Sequence, residues 1–116
     1  MVKTLNIEYT ETFDNTVDNL INHLASYSNE YLVIERIENL IEDFEKRITT
    51  APLSCPISPY LLELGITSFR EYNHNGFRLL YRVIEDEDSL KIQGDVLLSQ
   101  KQSIEQVLIE YCLIYK

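Results

Sequence analysis

Two aromatic-rich runs on either side of Asn75-Gly76 constrain this chain more than anything else in it. Phe69-Arg70-Glu71-Tyr72-Asn73 and Phe77-Arg78-Leu79-Leu80-Tyr81-Arg82-Val83-Ile84 carry side chains that suit a pleated, half-buried backbone. Asn and Gly between them tolerate the positive φ of a tight hairpin turn. The fold must therefore contain an antiparallel sheet, and register decides which side chains share a face. A two-residue turn pairs His74 with Phe77, gathers Arg70, Tyr72, Phe77, Leu79 and Tyr81, and separates Arg70 from Arg78. A three-residue loop, residues 74–76 with Gly76 left-handed, shifts the pairing by one. Arg70, Tyr72, Arg78, Leu80 and Arg82 then share one face, and Phe69, Phe77, Leu79, Tyr81 and Val83 the other. The second register is expected, because it buries aromatics together and keeps arginines out of the core.

The rest of the chain supplies partners for that sheet. Residues 2–10 alternate Leu5, Ile7 and Tyr9 with polar side chains, as in a half-buried strand. Thr12 or Asp14 then caps a helix with Phe13, Val17, Leu20, Ile21 and Leu24 on one face, ending near Tyr27. Ser28 is a plausible cap for a second helix, with Glu30 in its first turn. Its stripe runs Val33, Ile34, Ile37, Leu40, Ile41, Phe44, Ile48 and stops at Thr49-Thr50-Ala51-Pro52. Residues 52–68 read as a linker holding one helical turn, capped by Ser58-Pro59 and stopped by Gly65. Leu61, Leu62 and Leu64 would pin this turn to the core. After the acidic turn Glu85-Asp86-Glu87-Asp88, residues 90–98 form another strand with Gly94 at a bulge. Ser103-Ile104-Glu105-Gln106 resembles a capping box for a short final helix through Ile104, Leu108, Tyr111 and Cys112.

The order β-α-α-turn-β-β-β-α puts helices early and strands late, which argues for the α+β class. The expected architecture is an N-terminal strand, an antiparallel helical hairpin on a mainly antiparallel sheet of about four strands, and a short C-terminal helix. The first strand joins at an edge. With 116 residues, 45% of them apolar, the chain is expected to be a single domain over residues 1–116. No apolar run suits a membrane span and no secretory leader is visible, so a cytoplasmic protein is expected. Cys55 and Cys112 are then free thiols. No Cys or His spacing suggests a metal, and no cofactor is implied. His23 is read as a surface residue of the first helix.

Net charge is −9, which opposes direct binding to free DNA. Residues 1–50 carry ten acids and four bases; residues 51–116 carry nine and six. Yet residues 69–82 hold three arginines and one acid, Glu71. This basic island reads either as an anion-binding or partner-binding surface, or as internal neutralisation of the acidic helices. Tyr72 could stack on a ring. Ser99 has no evident His or Asp partner and reads as part of a strand-to-helix connection. Tyr111 and Tyr115 read as packing residues with exposed hydroxyls.

Gly76-Phe77-Arg78-Leu79-Leu80-Tyr81-Arg82-Val83-Ile84 resembles the central strand of the RelE/ParE toxins of type II toxin–antitoxin systems. Leu64-Gly65 and Phe69-Arg70-Glu71 resemble the stretch before it. Val96-Leu97-Leu98 with Gln100-Lys101-Gln102-Ser103 resembles the last strand and its exit loop. The resemblance implies a cognate antitoxin as partner. It also implies one of two targets: DNA gyrase, or the ribosome and its messenger RNA. For an RNA-cutting member the implied catalytic candidates are Arg70, Arg78, Lys101, Tyr111 and Tyr115. Tyr72 stands where such members carry a second lysine, and Lys101 is the only base of an exit loop that is normally arginine-rich. Charge stabilisation of a pentavalent phosphate needs more than this. The departures favour a ParE-like, plasmid-stabilisation type of toxin that inhibits gyrase and arrests growth, with Arg70, Tyr72, Arg78, Arg82 and Lys101 as target-binding or antitoxin-binding residues. A non-toxic binding module of the same fold is the third reading.

Overall fold

The computed structural model describes residues 4–111 and 113. Met1, Val2, Lys3, Cys112, Ile114, Tyr115 and Lys116 lie outside the described residues, so the expectations placed on Val2, Cys112 and Tyr115 go no further here. The elements are β1 (Thr4–Tyr9), α1 (Glu11–Ala25), α2 (Glu30–Thr50), α3 (Pro59–Glu63), β2 (Arg70–His74), β3 (Phe77–Glu85), β4 (Ser89–Ser99) and α4 (Ile104–Glu110). They make the expected α+β architecture. The sheet has four strands in the order β1-β4-β3-β2. β2, β3 and β4 run antiparallel, and β1 lies parallel to β4 at the edge. Among the described residues no helix is long and apolar enough to cross a membrane.

Both faces of the sheet are covered. Val33, Ile37, Leu40, Phe44 and Ile48 of α2, with Phe13 and Leu20 of α1, bury against Tyr72, Phe77, Leu79, Tyr81, Ile92 and Leu97. On the opposite face Leu61 and Ile104, Val107 and Leu108 of α4 cover Phe69, Leu80, Val96 and Leu98. Burial of these side chains supplies the main driving force of the fold. It also explains why β3 and β4 lack clean alternation, since strands buried on both faces read as continuous apolar runs.

The hairpin takes the register that was not expected. His74 pairs with Phe77, Tyr72 with Leu79 and Arg70 with Tyr81. The turn is Asn75-Gly76 alone, with φ of 51° and 82°, the doubly left-handed turn whose twist matches the strands. The expectation assumed one apolar face. With both faces covered, Phe69 and Leu80 find a home on the α4 side while Tyr72, Phe77, Leu79 and Tyr81 meet the helical hairpin.

Helix starts differ from expectation by a few residues. Thr10 caps α1, its Oγ1 accepting from Phe13 N at 3.0 Å, in place of Thr12 or Asp14. Asn29 caps α2, its Oδ1 accepting from Tyr31 N at 2.8 Å, in place of Ser28. Ser58 does precede Pro59 at the start of α3, but its hydroxyl donates to Glu71 rather than capping the helix. Gly65, with φ of 81°, closes α3 as Ile66 N reaches Leu61 O and Gly65 N reaches Leu62 O. Of the three leucines expected to pin this turn, only Leu61 is buried; Leu62 and Leu64 are exposed. Ser103 caps α4 through Gln106 N.

The anticipated irregularity at Gly94 is a bulge. Leu80 pairs with Val96 and Tyr81 with Gly94, so Asp95 has no partner on β3.

Candidate functional site

The two-residue turn disperses the arginines. Arg70 lies on the helical-hairpin side, where its Nη1 donates to Cys55 O at 2.6 Å and Leu53 O at 3.4 Å. It ties the linker to the sheet. Tyr72 is buried between Phe44 and Arg47, with His74 stacked on its ring. Burial raises the pKa of its hydroxyl, with Asp43 adding to the rise and Arg47 opposing it. It is a packing residue, without an open face for a base to stack on.

Arg78 and Arg82 point to the other side, with Leu80 between them. Arg82 is locked there. Its Nε and Nη2 donate to the two carboxylate oxygens of Asp95 at 2.7 and 2.8 Å, and its guanidinium lies over Phe69. Asp95 is 1% exposed and also accepts from Gln93 Nε2. The bulge is what aims this carboxylate, since an unpaired strand residue can turn its side chain toward a neighbour. Its bond to Asp95 raises the pKa of the Arg82 guanidinium further. The Arg78 side chain makes no ion pair or hydrogen bond with another described residue.

Lys101 and Tyr111 sit elsewhere again, on a cleft of about 830 Å³ between α1, α4 and the end of the sheet. Leu20, Leu24, Phe77, Leu97 and Val107 form its apolar wall. Asn19 Nδ2 donates to the Tyr111 hydroxyl at 2.6 Å across its top. Arg36 enters from α2, its guanidinium over the Phe77 ring and its Nη2 donating to Asn75 O at 2.9 Å, so it clamps the hairpin turn. Arg36, Lys101 and His23 line the cleft with a single acid, Glu110, on a chain whose net charge is −9. Beside it the tip of the helical hairpin carries Tyr27, Tyr31 and Leu32, exposed by 80%, 71% and 51%.

Arg70 and Arg82 border one small pocket of about 380 Å³, but Arg78 is not in its lining and Lys101 lies on the cleft beside α1, so the four bases are not gathered around one point where a phosphate could sit. A pentavalent phosphate needs its donors converging on the same oxygens. What the described residues do gather is an apolar cleft with a basic rim and an aromatic shoulder, the composition of a protein-binding surface. Sequence reasoning missed Asn19, Arg36 and Asp95. Asp95 left a signal, a lone acid inside the apolar run 92–98. Tyr27 and Tyr31 left another, aromatic residues off both helical stripes beside the Ser28-Asn29 break.

No curated protein matches the chain. The family model for the ParE toxin of the type II toxin–antitoxin system, parDE, matches residues 7–93, from the first strand to the middle of the last. That span takes in the helical hairpin, the Asn75-Gly76 turn and the central strand on which the resemblance rested. The chain belongs to the ParE toxin family of type II toxin–antitoxin systems, within the RelE/ParE superfamily.

Proposed function

We propose that this toxin acts in the cytoplasm by binding protein rather than by cutting RNA, that its target is DNA gyrase, and that its antitoxin silences it by seating on the cleft between α1 and α4. The observation that carries the reading is the dispersal of the basic residues. Arg70 is spent on linker carbonyls and Arg82 on a buried carboxylate, while Arg78 and Lys101 stand on different surfaces. Such an arrangement offers little to a scissile phosphate and leaves a contiguous apolar and aromatic surface for a protein. The −9 charge favours the same reading, since ribosomal RNA repels it.

Induction without antitoxin, followed by pulse-labelling, tests the target. DNA synthesis is expected to stop first, with filamentation. If protein synthesis stops first, and translated messages carry new cuts, the nuclease reading replaces this one. The antitoxin seat is tested by Tyr27→Ala. Tyr27 is exposed and, among the described residues, its only ring contact is edge-on to His23. The variant is expected to bind the cognate antitoxin about tenfold more weakly while unfolding within about 0.5 kcal/mol of the parent. Titration calorimetry reads the first and urea denaturation the second. Unchanged affinity would move the antitoxin off this shoulder.

A further inference from the structure

The two edges of the sheet are treated differently. The β2 edge is capped: Ile57 bridges to Arg70, Ser58 N donates to Phe69 O at 2.9 Å and Glu71 N donates to Pro56 O at 3.0 Å. Among the described residues the β1 edge is open. Thr4 N donates to Asp88 O and Thr10 N to Gly94 O, so the even-numbered residues turn their backbone toward β4. Alternation then aims the N–H and C=O groups of Leu5, Ile7 and Tyr9 away from the sheet. Among the described residues no backbone group meets them. Proteins usually blunt such an edge with a proline, a bulge, an inward charge or a covering loop. Apart from one edge charge, Glu8, which holds Lys91 at 3.0 Å, β1 has none of these in its described residues.

Its sequence is symmetric in character about Ile7: Thr4-Leu5-Asn6-Ile7-Glu8-Tyr9-Thr10. We propose that β1 is the seat of a second copy of this chain. Two β1 strands pair antiparallel about a two-fold axis at Ile7 and join the two sheets into one. In this register Leu5 faces the Tyr9 of the other copy and Ile7 faces its counterpart. These side chains are half-buried against the core, and pairing completes their cover. Asn6 faces Glu8 on the solvent side, so an amide donor meets a carboxylate and no two like charges are opposed. Thr4 meets Thr10. Every outward N–H of residues 5, 7 and 9 finds a carbonyl across the axis. An isologous contact of this kind closes at two copies, so it does not lead to fibres. The cost is long-range repulsion between two acidic molecules, which salt screens.

Sedimentation equilibrium of the purified full chain tests this, with hydrogen exchange read at the β1 amides. The expected result is a monomer–dimer equilibrium that tightens as salt rises from about 50 to about 500 mM. Amides of Leu5, Ile7 and Tyr9 should gain protection with protein concentration, while those of Asn6 and Glu8, already bonded to β4, should not. Asn6→Glu opposes Glu8 across the axis and is expected to weaken the dimer about tenfold. Adding Glu8→Asn restores an amide–carboxylate pair, and the new Glu lies beside Lys91, the β4 partner of position 6, so dimerisation should return. A monomer at every concentration, an Asn6→Glu variant that dimerises like the parent, or protection of residues 5, 7 and 9 only when a different protein is added would overturn the proposal.

Discussion

Arg82→Ala should lower the stability of the fold by about 3–5 kcal/mol. The reason is asymmetric burial. Asp95 is 1% exposed, and Arg82 supplies both of its close ionic contacts, at 2.7 and 2.8 Å. Without Arg82 the carboxylate keeps, among the described residues, only the Gln93 amide, and a buried charge without its counter-ion is costly. Asp95→Ala should cost less, about 1–3 kcal/mol, because the orphaned guanidinium reaches water. The Arg82 side chain is 35% exposed and keeps its place over Phe69. Urea denaturation of both variants reads this order directly. A loss under about 1 kcal/mol for Arg82→Ala would mean that the pair is screened like an ordinary surface pair and that Arg82 is available for a partner.

Gly94→Ala is the second large effect. A methyl group there would sit 2.6 Å from Tyr9 Cδ1 and 3.0 Å from Cε1. The Tyr9 ring cannot simply swing aside. Its hydroxyl donates to Glu45 Oε2 at 2.6 Å and its face packs on Phe13 at 4.8 Å between centroids. Burial and the Glu45 carboxylate raise the pKa of the phenol, so it remains a donor at any physiological pH. The methyl must therefore push β1 from β4 or break the Glu45 bond, at about 1–3 kcal/mol. That cost depends on Tyr9. In a Tyr9→Ala background the same substitution should be close to neutral, and the two losses should fall short of adding by more than about 1 kcal/mol. Additive losses would place the strain elsewhere in the strand.

Local rules carried the sequence reading as far as local rules operate. Asn75-Gly76 announced the hairpin because few residue pairs accept two positive φ angles. The α2 stripe announced its buried face, and Val33, Ile37, Leu40, Phe44 and Ile48 are all in the core. The α2 cap slipped because Ser28 and Asn29 offer the same acceptor one residue apart, and the α1 cap because threonines stand at both 10 and 12. Register was misjudged because it depends on whether the second face of the sheet is covered, which only the docking of α4 decides. The site was harder still. The Arg82–Asp95 pair needs a bulge to bring residues 13 apart in sequence into contact, and the cleft needs Asn19 and Tyr111, 92 apart, to meet. The basic island was visible as composition. That Arg70 serves the linker and Arg82 a buried acid follows from tertiary contacts that no spacing rule reports.

The claim that this toxin works by holding gyrase is tested most directly with purified components. Relaxed plasmid, gyrase and ATP are incubated with increasing amounts of the toxin, and supercoiling is followed on a gel. Supercoiling should fall as toxin is added and should recover when the cognate antitoxin is supplied. Undiminished supercoiling at a large excess of folded toxin would contradict the account.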